Sequence, residues 1–111
     1  MENMEEKTQI FKNRTINIFG SKYSIKFVDE VTDSDDNWIY GITDVYNKVI
    51  RISTKLPCDK PIQKEELETT LIHELLHAIL NSGQYNEYSD DEPLVEWIAR
   101  CLVSLRKQKV L

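Results

Sequence analysis

At 111 residues, 41% of them hydrophobic and 30% charged, the chain suits one globular domain and leaves no room for a second. Nineteen Asp and Glu against fourteen Lys and Arg give a net charge of −5, which repels a phosphate backbone and speaks against direct nucleic-acid binding. Two cysteines, Cys58 and Cys101, are too few for a disulfide framework, and no apolar stretch approaches the ~20 residues that span a bilayer. Met1–Lys7 is acidic and lacks the apolar segment of a signal peptide, so a cytoplasmic location and no membrane partner are expected.

Residues 1–13 read as a loosely ordered polar tail. From Thr15 the apolar residues fall at period 2, with Ile16, Ile18, Tyr23, Ile25, Phe27 and Val31 separated by polar ones and Gly20-Ser21 as the turn between two strands. Asp33-Ser34-Asp35-Asp36-Asn37 is a solvated loop without the glycine and distal Glu of a calcium-binding EF-hand loop. A second strand pair, Trp38–Val45 and Val49–Ser53, closes on a tight turn near Asn47-Lys48. Val49–Ser53 suits either an edge strand open to an extended peptide or an interior strand. Pro57 and Pro61 break the chain before a helix over about Gln63–Asn81, stopped by Ser82-Gly83. A polar loop, Gln84–Asp91, precedes a second helix over Glu92–Lys107, with Pro93 in its first turn and Asp90 or Asp91 near its cap. Strands followed by helices predict an α+β fold: an antiparallel or mixed sheet of three to four strands packed against two helices. Trp38 and Trp97 read as packing residues, and Tyr85 and Tyr88 as loop aromatics, with donation to an oxyanion as their functional alternative.

The only two histidines of the chain lie four apart in His73-Glu74-Leu75-Leu76-His77, an HExxH sequence inside the first helix. Residues four apart share a helix face about 6 Å apart along the axis, so both imidazoles can converge on one ion. Glu74, next to His73, is poorly placed to join that chelate. It is suited to take a proton from a metal-activated water and deliver it to a leaving amine. The surrounding Leu71–Leu80 run is otherwise apolar, which predicts a helix buried nearly all round. Unpartnered His, Glu and His in such a helix would be costly, and a metal removes that cost.

A catalytic zinc generally takes three protein ligands. No third histidine exists, which excludes HExxHxxGxxH, and Cys58 in Leu-Pro-Cys-Asp lacks the context of a peptide-deformylase cysteine. Glu92 and Glu96, four apart on the second helix, are the natural carboxylate candidates. Glu92 is favoured as ligand and Glu96 as support for a histidine, with the reverse open; Glu87, Asp90 and Asp91 rank below them.

These segments resemble the ImmA/IrrE-like metallopeptidases of bacteria, phages and mobile elements. The resemblance rests on Asn47–Ser53 as the strand before the active-site helix, Leu67–Leu80 as that helix, and Glu92–Ala99 as the helix that supplies a Glu ligand. It covers roughly residues 45–105, while the family's Glu-Ala-Asn-x-Phe-Ala pattern is not reproduced around Glu96. The resemblance implies a minimal zincin that binds Zn²⁺ and hydrolyses peptide bonds. Its implied substrate is a cytoplasmic regulatory protein, a helix-turn-helix repressor in some members. A second reading is a metal-stabilised binding module that antagonises a partner without cleaving it, for which Glu74 would be superfluous.

Overall fold

A computed structural model describes residues 11–111, and the expected tail lies outside these residues up to position 10. Its last part is anchored: Phe11 meets the Phe27 ring edge-on at 5.8 Å, and Asn13 Oδ1 accepts from Phe27 N–H at 2.8 Å. The fold is α+β. Strands β1 (Arg14–Ile18), β2 (Ser21–Val28), β5 (Gly41–Asp44) and β6 (Val49–Ser53) form a mixed sheet of order β1-β2-β6-β5. Strands β3 (Val31–Thr32) and β4 (Trp38–Ile39) make a separate two-stranded ribbon. Helices α1 (Lys64–Ser82), α2 (Asn86–Ser89) and α3 (Glu92–Lys107) follow.

Alternation decides which sheet face is buried. Tyr23 and Ile25 on β2, and Ile50 and Ile52 on β6, point to one side and form the core with Ile62, Leu67 and Ala78. β2 and β6 run parallel, with Ile25 opposite Ile50 and Phe27 opposite Ile52. The expected strand Trp38–Val45 is broken at Tyr40, because its first part pairs with β3 and its second with β6. Buried Ser53 ties the ribbon to the sheet, accepting from Val31 N–H at 2.8 Å and donating to Ile39 O at 2.7 Å. Thus β6 is interior, not an edge; among the described residues β1 and β5 are the edge strands. Asp33 Oδ1 accepts from Asn37 N–H and from Asp35 N–H, which holds its carboxyl below the usual range and closes the expected polar loop.

α1 packs on β5 and β6 with one side and on α3 with another. It is not buried all round as its apolar run suggests: Ile79 is 47% exposed, because neither the sheet nor α3 covers that side. Asp91 caps α3, accepting from Leu94 N–H at 3.2 Å. Val95, Ala99 and Val103, at a spacing of four, are the buried residues of α3. Trp97, two residues from Val95 and so on the other side of the helix, is 67% exposed and is not a packing residue. Trp38 lies against the core and donates from its indole N–H to Lys55 O at 3.1 Å. Cys58 and Cys101 are unpaired, and no helix among the described residues is long and apolar enough to cross a membrane.

One buried charge joins the two long helices. Glu68 on α1 is buried, and its Oε1 accepts from Arg106 on α3, at 2.6 Å from Nε and 2.5 Å from Nη2. Replacing Arg106 by Ala leaves that carboxylate without its donor and should lower stability by about 1–3 kcal/mol in urea unfolding. Adding Glu68→Gln to the same variant should recover part of the loss, since a neutral amide is cheaper to bury than an unpaired charge.

Candidate functional site

Helical periodicity puts His73 and His77 on the flank of α1 that meets α3, their Nε2 atoms 3.2 Å apart. Packing of α3 against α1 brings Glu92, in the first turn of α3, over the same point. Its Oε2 lies 2.9 Å from His73 Nε2 and its Oε1 3.0 Å from His77 Nε2. His73, His77 and Glu92 are the group of potential metal donors that converge among the described residues, all donor atoms lying within 4.8 Å of one another.

Glu96 does not join this group. One turn further along α3, its Oε1 lies 2.9 Å from His73 Nδ1, on the other side of the imidazole, while its Oε2 receives Arg100 Nη2 at 2.9 Å. His77 is held differently. Its Nδ1 lies 3.0 Å from Ser89 Oγ, and Asn81 Nδ2 donates both to that hydroxyl and to His77 O, each at 2.8 Å. Ser89 is only 4% exposed on the short helix α2, which bridges α1 to α3.

This arrangement fits a divalent metal. An ionised carboxylate can only accept, so a His73 ring carrying a single proton would hold it on Nδ1, facing Glu96, and turn a lone pair outward at Nε2. Ser89 Oγ can likewise accept from His77 Nδ1. Two imidazole lone pairs and a carboxylate then face one another, an arrangement that a cation relieves. Nitrogen and oxygen donors about 2.0–2.1 Å from one ion at tetrahedral angles stand roughly 3.3 Å apart, close to the spacing here.

Glu74 lies one step round the helix, toward the sheet. It is 7% exposed, and Thr43 Oγ1 on β5 sits 2.8 Å from its Oε1 and 3.0 Å from its backbone O. Burial pushes the Glu74 carboxyl above the usual range, against the opposing pull of the Thr43 hydrogen bond and of charge on His73 and His77. The close approach of β5 depends on Gly41. A Cβ there would lie 3.2 Å from Glu74 Cγ, 3.0 Å from Thr70 Cγ2 and 3.1 Å from Arg51 O.

Glu74 and the donor group open into a cleft of about 1160 Å³ between the β5 edge and α3, lined along β5 by Gly41, Ile42 and Thr43. Tyr85 and Tyr88 are not among its lining residues; both are exposed, their rings 6.2 Å apart. Glu87, Asp90 and Asp91 contribute no donor to the group, although Asp90 lines the cleft. Thr43, Ser89, Asn81 and Arg100 are site residues that sequence reasoning missed. Only Asn81, four residues after His77, and Arg100, four after Glu96, carried a signal in their helical spacing.

No family model, no curated protein and no solved structure matches this chain.

The geometry separates the two acidic candidates. Glu92→Ala removes a donor and should weaken divalent-metal binding more than Glu96→Ala, which removes only the partner of a ligand and should cost about 10–100-fold. Competition against a chromophoric chelator measures both. A larger loss from Glu96→Ala would exchange their roles.

Proposed function

We propose that the chain is a zinc-dependent metallopeptidase that hydrolyses peptide bonds of a protein substrate. The observation that carries the reading is Glu74, a buried carboxylate beside the convergent donors but not one of them. A site that merely held the fold together would have no use for such a group.

Two imidazoles and a carboxylate suit Zn²⁺, whose catalytic sites pair three protein ligands with an open position. His73, His77 and Glu92 are its ligands in this reading, with Glu96 and Ser89 orienting the two rings. Zinc, when bound, supplies Lewis acidity that polarises a carbonyl and acidifies water. Glu74 takes a proton from the attacking water and passes it to the leaving amine nitrogen. β5, an edge strand among the described residues, runs along the cleft and offers backbone groups to an extended peptide. The resemblance to ImmA/IrrE-like peptidases points the same way and makes a repressor-type regulatory protein the substrate class to test first.

Zinc-loaded protein should cleave an unfolded protein probe, fluorescein-labelled casein, lose that activity on chelation, and regain it with added Zn²⁺. Glu74→Gln should retain zinc but lose roughly 10²–10⁴-fold in kcat. Full activity in that variant would overturn the peptidase reading.

A further inference from the structure

We infer that Thr43 is a positioning residue for Glu74, holding one carboxylate oxygen so that the other stays turned to the cleft; this rests on the peptidase reading above. The Thr43 hydroxyl has one proton and faces two acceptors belonging to the same residue, Glu74 Oε1 at 2.8 Å and Glu74 O at 3.0 Å. It therefore registers the side chain of Glu74 against the backbone from which that side chain springs. Among the described residues none donates to Glu74 Oε2, and no buried side-chain oxygen lacks a partner. Oε2 is therefore not a buried, unpartnered atom, and Glu74 lines the cleft together with His73 and His77. The two oxygens are distinguished: one is tethered to the sheet, and the other has no hydrogen-bond donor among the described residues.

Gly41 is the second half of the device. A side chain there would press on Glu74 Cγ at 3.2 Å, so its absence lets β5 come close enough for a hydroxyl as short as threonine's to reach the carboxylate. Gly41 and Thr43 are two apart on one strand, so both face α1, while β5 is an edge strand among the described residues. Released from Thr43, a glutamate with three rotatable side-chain bonds spreads over several rotamers, and a misplacement near 1 Å can cost about a hundredfold in rate.

The test compares zinc-loaded wild type with Thr43→Val, which keeps the shape and removes the hydroxyl, and Thr43→Ser, which keeps the hydroxyl. Carboxyl ¹³C NMR of Glu-labelled protein follows Glu74 without any substrate, its resonance assigned by its loss in Glu74→Gln. One narrow line is expected in wild type and Thr43→Ser, and a shifted or broadened line in Thr43→Val with the rest of the spectrum and the zinc affinity preserved. With labelled casein as probe, Thr43→Val should lower kcat by about tenfold to a hundredfold with KM nearly unchanged, and Thr43→Ser should restore most of the loss. An unaltered Glu74 resonance in Thr43→Val, or loss of kcat that Ser does not restore, overturns the inference. Failure of the peptidase reading is a separate result, seen as equal activity of wild type and Glu74→Gln, and the NMR comparison still judges Thr43 in that case. Should Thr43→Val lose its fold, Thr43→Ala takes its place, and an unaltered Glu74 resonance or an unrestored kcat overturns the inference there too.

Discussion

The angular step between neighbouring helical residues, about 100°, is the constraint on which the site depends. It sends His73 and His77 to one flank of α1 and Glu74 to the next, so one helix addresses two layers at once. The histidine flank meets α3 and collects Glu92 and Glu96. The Glu74 flank meets β5 and collects Thr43 and the space that Gly41 leaves. Had α1 been covered all round by the core, neither set could open to the cleft. The exposure of part of its apolar surface is the counterpart of that position between layers.

The two histidines are supported unequally. His73 has an anionic partner, Glu96, which is itself held by Arg100; His77 has a neutral hydroxyl held by an amide. A carboxylate draws the Nδ1 proton more strongly than a hydroxyl does, making the opposite nitrogen a better electron donor. The support also differs in origin. Glu96 comes from the helix that brings Glu92, whereas Ser89 comes from the short connection, which must fold correctly before His77 is oriented.

Much of this was legible from the sequence, for physical reasons that can be named. Period-2 alternation located the strands of the main sheet but not the β3/β4 ribbon, and the helix expected over about Gln63–Asn81 matches α1 to within a residue at each end. The spacing of His73 and His77, and of Glu92 and Glu96, put chemically suited groups on two helix faces. The order of strands was not legible, because Val49–Ser53 reads equally well in the middle or at the edge of a sheet; only long-range pairing with both β2 and β5 decides it. Burial of α1 was overestimated since leucine and isoleucine look alike whether they meet a core or a cleft wall. Trp97 misled in the same way, a large apolar residue whose place on the helix leaves it outside. Thr43 and Ser89 gave no local sign, being ordinary residues for a strand and a turn until the tertiary fold sets them against Glu74 and His77.

The pairing of buried Glu68 with the exposed Arg106 has a consequence for how the molecule breathes. It fastens the start of α1 to the end of α3, while His73, His77 and Glu92 meet nearer the end of α1 and at the start of α3. Glu68 and His77 are nine residues apart, about 13.5 Å along the helix. The helix pair therefore resembles a clothes-peg, with a permanent spring at one end and jaws at the other. In the proposed metal-bound state a cation would draw the jaws together at the end farthest from the spring. In that reading, opening at the start of α3 and in the adjoining α2 would be coupled to metal occupancy, while the Glu68–Arg106 end stays fastened.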